Sequence, residues 1–188
     1  MGKSTSARLL DERGVLIVDT DVVARELVEP GQQALSEITR HFGSGMIDQD
    51  GRLRRSRLAE AVFASPEKRK ELEAILHPRI RQRWLKQTEQ WREEGKAAAA
   101  VVIPLLFETN AQTQFDAVLC VACSTGTQRE RLSARGWPKE QIRQRIAAQW
   151  PIEKKIAASH RVVWTEGDLT VHARQLEHIL DYYLPSRR

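Results

Sequence analysis

The chain begins with a short motif, Gly2-Lys3-Ser4-Thr5, that matches the second half of a phosphate-binding loop. The full pattern is Gly, four residues, Gly-Lys-[Ser/Thr], and it follows a buried strand and opens a helix. Ala7, Leu9 and Leu10 repeat at helical spacing and predict that helix, which Gly14 can end. The first glycine of the pattern and the strand before it are absent from the sequence.

A buried strand and two acids follow the motif. Val15-Leu16-Ile17-Val18 is apolar and rich in β-branched residues, which is typical of a strand covered on both faces of a parallel sheet. Asp19 and Asp21 come where this strand should end. Ligands of open α/β sheets bind beyond the carboxyl ends of strands. Carboxylates at this point, near a phosphate-binding lysine, indicate a phosphotransferase.

Strands and helices alternate along the chain, which predicts an α/β fold with a parallel sheet flanked by helices. Strands are predicted at 15–18, 97–103, 117–122 and 161–164. Helices are predicted at 22–28, 32–41, 54–94 with breaks at Ser65-Pro66 and His77-Pro78, 125–135, 138–149 and 169–184. The helical stretch between the first two strands is too long for a simple crossover. We therefore expect an inserted helical lobe with its own binding surface.

Composition favours a soluble protein of the cytoplasm, with 29% charged residues and no apolar leader segment. The longest apolar run, 97–107, is too short to span a bilayer and contains Pro104. Because the formal charge of +5 is spread among acidic residues, it favours polyphosphate ligands over nucleic acid.

Cys120 and Cys123 lie in an apolar strand and are predicted to be small core residues.

Several motifs together resemble the dephospho-coenzyme A kinase family, whose fold is that of the P-loop nucleoside-monophosphate kinases. The resemblance covers nearly the whole chain, and the order and spacing of the motifs make it specific. The motifs are Gly2-Lys3-Ser4-Thr5, Val18-Asp19-Thr20-Asp21 with Ala24-Arg25 and Glu29-Pro30-Gly31, Leu76-His77-Pro78, Ile103-Pro104-Leu105-Leu106-Phe107-Glu108, Gln128-Arg129-Glu130-Arg131-Leu132 with Arg135-Gly136, and Arg145-Ile146-Ala147-Ala148-Gln149.

The resemblance implies transfer of the γ-phosphoryl group of ATP to the ribose 3′-hydroxyl of dephospho-coenzyme A, with Mg²⁺. It implies one P-loop kinase-like domain over 1–188, an inserted acceptor-binding lobe over 30–95 and a lid over 136–160. ATP and dephospho-coenzyme A are the expected partners, without nucleic acid or membrane. A monomer or weak homo-oligomer is expected.

For the phosphates and the metal, the resemblance assigns roles to the first motif and to the two acids. Gly2, Lys3, Ser4 and Thr5 would bind ATP, with Lys3 at the β- and γ-phosphates and Ser4 on Mg²⁺. Asp21 would accept the hydroxyl proton, and Asp19 would support the metal and the acceptor. Both acids are also good N-caps for the following helix, so we expect one to cap and one to act.

For the acceptor, the resemblance points to Arg25, His77, Arg81, Leu106 and Glu108. His77-Pro78 has an alternative explanation as a bend between two helices. Leu106 could equally belong to the core.

For the nucleotide and the transferred phosphoryl group, the resemblance points to four arginines. Arg131 and Arg135, at i and i+4, would face the nucleotide. Arg143 and Arg145, in the expected lid, are candidates for the clamp on the transferred group, and the motif favours Arg145.

Two departures from the family pattern keep other interpretations open. The segment 160–167 lacks the Asn expected near the adenine, and the family carries about a dozen residues before Gly-Lys. Either the true start lies upstream of Met1, or the chain is a non-catalytic remnant. Another P-loop small-molecule kinase is a third possibility. Because a sheet without that strand loses backbone partners, we expect the 188-residue form to show little activity and an extended form to regain it.

Overall fold

The computed structural model describes residues 1–184 and contains the alternating helices and strands that the sequence predicts. The helices are α1 (Lys3–Asp11), α2 (Thr20–Glu26), α3 (Gln33–Phe42), α4 (Arg55–Ala64), α5 (Pro66–Glu93), α6 (Thr125–Ser133), α7 (Lys139–Ala147), α8 (Ile152–Ala157) and α9 (Leu169–Tyr183). The strands are β1 (Leu16–Asp19), β2 (Ala99–Val102), β3 (Leu119–Ala122) and β4 (Arg161–Trp164). Residues 185–188 of the predicted domain lie outside the described residues.

The four predicted strands are all present, with small shifts at their ends. β1 pairs with β2, and β3 pairs with β4. β3 and β4 run parallel, with Leu119 opposite Arg161 and Ala122 opposite Trp164. Parallel strands need a long crossover, and α6, α7 and α8 supply it. The α/β class with parallel strands and flanking helices is confirmed.

The long helix α5 corrects one expectation. The sequence predicts a break at His77-Pro78, but α5 continues from Pro66 to Glu93 with Pro78 inside it. A proline inside a helix removes a backbone hydrogen bond and costs about 3 kcal/mol. Because α5 packs against α2, α3 and α4, tertiary contacts keep it helical. The start of α5 is as predicted, with the Ser65 hydroxyl accepting from the backbone N–H of Lys68 over 3.2 Å.

The region between β3 and β4 contains one helix more than the sequence predicts. α7 corresponds to the predicted helix 138–149, and α8 follows it after Pro151, which precedes the first residue of α8. A proline just before or at a helix start is well tolerated because the first N–H groups of a helix have no intrahelical partner.

The chain divides into two compact units, and the first contains residues 1–17 with the described residues from 102 onward. In this unit α1 and β4 both pack against α9, and α8 packs against β3. Val163 and Leu176 are completely buried there. Cys120 and Cys123 are both buried, as predicted, and both are free thiols. Burial raises the pKa of the Cys120 thiol.

The second unit, Val18–Val101, is mainly helical. Its core contains Val28, Ala34, Ile38, Met46, Leu58 and Ile75. This unit includes the range 30–95, whose role as an acceptor-binding lobe stays a prediction, as does the lid range 136–160. Within residues 1–184, the helices are too short or too polar to cross a bilayer.

Candidate active site

The first turn of α1 holds the predicted phosphate-binding motif. Gly2 precedes the helix with φ of 82°, a left-handed conformation that costs glycine little. A Cβ at Gly2 would also lie 3.1 Å from Cγ2 of Thr165, which is closer than an ordinary contact. Lys3, Ser4 and Thr5 form the turn, whose backbone N–H groups have no intrahelical partners. The turn therefore offers hydrogen-bond donors and a positive dipole end to an anion.

A cavity of about 380 Å³ opens beside this turn. Its lining comes from α1, from α6 and its C-terminal end, and from the start of α9 with the segment before it: Gly2, Thr5, Arg131, Ala134, Arg135, Thr165, Gly167, Asp168, Leu169 and His172. We refer to it as the α1–α6–α9 cavity. The structure thus brings four of the predicted nucleotide-binding residues, Gly2, Thr5, Arg131 and Arg135, around one space.

Arg131 is held in the wall of this cavity by Thr165. Its Nη1 donates to Oγ1 of Thr165 over 2.9 Å, and its Nη2 donates to the Thr165 carbonyl oxygen over 2.6 Å. The Thr165 backbone N–H donates in turn to the carbonyl oxygen of Ala122 over 2.9 Å. Two hydrogen bonds to one residue restrict the planar guanidinium. Arg135 follows one turn later and is solvent-exposed.

Sequence reasoning missed the part of the wall that precedes and begins α9. Thr165, Asp168 and His172 all line the cavity. The Asp168 carboxylate accepts from the backbone N–H of Val171 over 2.8 Å and so caps α9. A strand end followed by a helix N-cap was the available signal, because ligands of α/β sheets bind at that position.

His172 ties α9 to the helix of the phosphate-binding motif. It is 5% exposed, and its Nε2 lies 2.8 Å from Oγ of Ser6, which is also buried. Burial lowers the pKa of His172 below its usual value, and repulsion from Arg131 lowers it further. We therefore expect a neutral imidazole at pH 7.

Stability should fall in mild acid because of His172. Its pKa is lower in the folded chain than in the unfolded chain, so the unfolded chain binds more protons as pH falls below about 6.5. The loss is at most about 1.4 kcal/mol per pH unit for this one group. Thermal unfolding at pH 7.5 and 5.5 should show a smaller decline for His172→Gln than for the wild type.

His178→Gln is the matched control for that measurement, since His178 lies on the same helix and is exposed. It should lose as much stability between the two pH values as the wild type does. An identical decline in the wild type and His172→Gln would contradict the prediction.

Glu108 contacts the region predicted to be the lid. Its Oε1 lies 2.9 Å from Nζ of Lys155 and accepts from the backbone N–H of Trp150 over 2.7 Å. Burial opposes ionisation of Glu108, but the bonds from Lys155 and Trp150 outweigh it and lower the pKa of the carboxyl. The ring of Phe107 stacks on that of Trp150 at 5.5 Å. These contacts join the segment that follows β2 to α8. They also hold the buried ammonium group of Lys155, which the sequence did not predict.

Lys3 and Leu106 line a smaller cavity of about 60 Å³. Lys155 lines it too, together with Cys120 of β3. The structure therefore brings the predicted phosphate-binding lysine and one predicted acceptor residue to the same space. Whether Leu106 contacts the acceptor stays a prediction.

The two candidate lid arginines, both on α7, have different environments. The guanidinium of Arg145 lies 4.2 Å from the ring centroid of Trp137. Arg143 is paired with Glu140, with Nη2 to Oε1 at 2.8 Å, and this pairing raises the pKa of Arg143. The structure thus gives Arg143 an acidic partner within α7.

The two acids at the end of β1 belong to the second unit. Oδ1 of Asp19 accepts from the backbone N–H of Asp21 over 2.8 Å, so Asp19 is the N-cap of α2. The Asp21 side chain is exposed. The capping role is thereby assigned to Asp19, and the catalytic role of Asp21 stays a prediction.

The residues predicted to bind the phosphates of the acceptor lie on α2 and α5, two helices of the second unit that pack together. Arg25 is exposed in the last turn of α2. His77 and Arg81 lie at i and i+4 on α5, which packs against α2. Their binding roles stay predictions.

Comparison with known proteins identifies the family. The sequence profile of dephospho-CoA kinases matches residues 1–170. The dephospho-CoA kinase of Thermobifida fusca is 41% identical over 192 residues, covering 99% of this chain and 94% of that protein. The chain belongs to the dephospho-CoA kinase family. The enzyme of Bdellovibrio bacteriovorus agrees, with 38% identity over 96% of this chain and 90% of its own length.

Solved structures agree with the fold of this family. TT1252 from Thermus thermophilus superposes with a TM-score of 0.81 at 32% identity, covering 96% of this chain and 91% of the other. The dephospho-CoA kinase from Campylobacter jejuni superposes with a TM-score of 0.71 at 24% identity, covering 97% and 92%. The resemblance drawn from the sequence motifs is confirmed, and so is the P-loop kinase fold.

Proposed function

We propose that this chain transfers the γ-phosphoryl group of ATP to the ribose 3′-hydroxyl of dephospho-coenzyme A, which gives coenzyme A. The observation that carries the proposal is the α1–α6–α9 cavity, where the first turn of α1 meets Arg131 and Arg135. Backbone N–H donors of a helix N-terminus and two guanidinium groups in one place suit a polyphosphate. A cavity of about 380 Å³ is in the range of small-molecule sites.

The proposed transfer follows the chemistry of phosphoryl transfer in general. The acceptor hydroxyl oxygen forms a bond to the γ-phosphorus, and the bond from that phosphorus to the β–γ bridging oxygen breaks, releasing ADP. Asp21 accepts the proton of the hydroxyl group. Lys3 and Arg145 stabilise the negative charge on the phosphoryl oxygens.

The residues proposed for the acceptor belong to α2, to α5 and to the segment that follows β2. Arg25, His77 and Arg81 are the proposed partners of its phosphates, because arginine and protonated histidine form charge-assisted hydrogen bonds to phosphate. Leu106 and Glu108 are proposed to contact the rest of the acceptor. Arg143 is proposed to support the nucleotide from α7.

Mg²⁺ is the proposed metal, and it would be held by oxygen donors of the chain and of the substrate phosphates. Among residues 1–184 there is no cluster of three or more His, Cys, Asp or Glu side chains that could enclose a metal. Mg²⁺ usually takes only one or two protein ligands and otherwise binds substrate phosphates and waters. The Ser4 hydroxyl and the Asp19 carboxylate are the proposed protein ligands. The ion would offset the charge of the β- and γ-phosphates.

We also propose that the protein works in the cytoplasm as a monomer or weak homo-oligomer and does not bind nucleic acid. The basic residues Arg131 and Arg135 support the last point, because they line a cavity instead of extending a basic arm.

The proposed function is tested by incubating the full chain with ATP, Mg²⁺ and dephospho-coenzyme A. Formation of ADP is followed by a coupled assay, and the product is identified by mass spectrometry as carrying its new phosphate on the ribose. Nucleoside monophosphates serve as alternative acceptors. Preference for one of them over dephospho-coenzyme A would overturn the proposed acceptor.

A further inference from the structure

One carboxylate joins the segment before α9 to the start of α6. Oε1 of Glu166 accepts from the backbone N–H of Ser124 over 2.9 Å and from Oγ1 of Thr127 over 2.7 Å. Oε2 of Glu166 accepts from Nε1 of Trp164 over 3.1 Å. Hydrogen bonds from Ser124 and Thr127 lower the pKa of Glu166 to about 2. The carboxylate is therefore ionised throughout the working pH range.

This carboxylate connects two walls of the α1–α6–α9 cavity. Thr165 and Gly167 line the cavity, and Glu166 lies between them in the chain. Ser124 is the N-cap of α6, so the charge lies at the positive end of the α6 dipole, where an anion is favourable. The same helix carries Arg131, whose guanidinium bonds Thr165.

We propose that Glu166 is a positioning residue for the nucleotide. It holds the wall formed by Thr165 and Gly167 against α6, and so sets where Arg131 stands in the cavity. Glu166 acts through these residues without touching the nucleotide. The inference rests on the proposed function for the identity of the ligand.

Glu166→Gln weakens this connection with little change in side-chain size. An amide has one acceptor oxygen, so if that oxygen bonds Ser124 and Thr127, the NH₂ group faces the N–H of Trp164. One bond and the charge are lost. We expect the dissociation constant for ADP and the KM for ATP to rise about tenfold, as for the loss of a hydrogen bond to a charged group. The KM for dephospho-coenzyme A should change by less than about twofold, because the acceptor residues proposed above do not contact Glu166.

Glu130→Gln is the matched control, since Glu130 is an exposed glutamate on the same helix. It should bind ADP as the wild type does. Thr127→Val removes one of the three bonds and should shift ADP affinity in the same direction by a smaller factor. Its effect should be less than multiplicative with Glu166→Gln, because both act through one carboxylate.

ADP binding by calorimetry, thermal unfolding and both KM values are measured for the wild type and these variants. A rise in the ATP KM alone, in variants that unfold near the wild-type temperature, supports the positioning role. Equal ADP affinity in the wild type and Glu166→Gln overturns this role and leaves the proposed function intact. An equal rise in both KM values also overturns it. A wild-type chain that does not bind ADP overturns the proposed function itself, and this inference with it.

Discussion

Asp21→Asn is expected to slow phosphoryl transfer to dephospho-coenzyme A by about 10²–10⁴-fold, with little change in either KM. The carboxylate accepts the hydroxyl proton as the new O–P bond forms, and an amide cannot accept it. The fold should persist, because Asp19 bonds the backbone N–H of Asp21 and the Asp21 side chain is exposed. The measurement is kcat at saturating ATP and acceptor, together with the thermal unfolding temperature.

Two variants of the same helix sharpen that experiment. Glu26→Gln removes one exposed charge from α2 and should leave kcat unchanged. Asp19→Asn keeps an N-cap, because asparagine caps as well as aspartate. It should reduce kcat less than Asp21→Asn does. A larger loss for Asp19→Asn than for Asp21→Asn would move the proton-accepting role to Asp19.

The sequence predicted the elements whose signals are local. β4 has the predicted bounds because Val162, Val163 and Trp164 are a short β-branched and aromatic run that turn-forming residues follow. α5 begins as predicted because Ser65 and Pro66 are a cap and a first helical residue. The break predicted at Pro78 was wrong because the prediction used only the local preference of proline against a helix. The helices that pack around α5 and keep it helical lie elsewhere in the sequence.

The candidate site was predictable only where a motif marked it. Gly2, Arg131 and Arg135 belong to motifs, and the structure brings them to one cavity. His172 belongs to no motif, and its partner Ser6 is 166 positions away. Contacts of that kind depend on how α1 and α9 pack, which periodicity does not specify. The segment 160–167 departs from the family pattern because it lacks the asparagine expected near the adenine. The structure shows that the hydroxyl and the carbonyl oxygen of Thr165, in the same segment, hold Arg131.

Lys3→Met is expected to reduce kcat by about 10²–10³-fold, comparable to removal of one donor that stabilises a transition-state charge. The ammonium group is proposed to contact the β- and γ-phosphates, where negative charge increases during transfer. Methionine keeps the length of the side chain and has a helix propensity close to that of lysine, so α1 should still begin at residue 3. ATP affinity should weaken by a smaller factor than kcat, because the backbone N–H groups and Arg131 remain.

Lys68→Met provides the matched control for this experiment. Lys68 is also a lysine in the first turn of a helix, but that helix is α5 in the other unit. Both variants lose one positive charge near a helix N-terminus, so their effects on stability should be similar and small. Only Lys3→Met should lose activity. Because the proposed role is specific to charge developing on the phosphates, equal kcat values for Lys3→Met and the wild type would show that the first turn of α1 does not bind the transferred group.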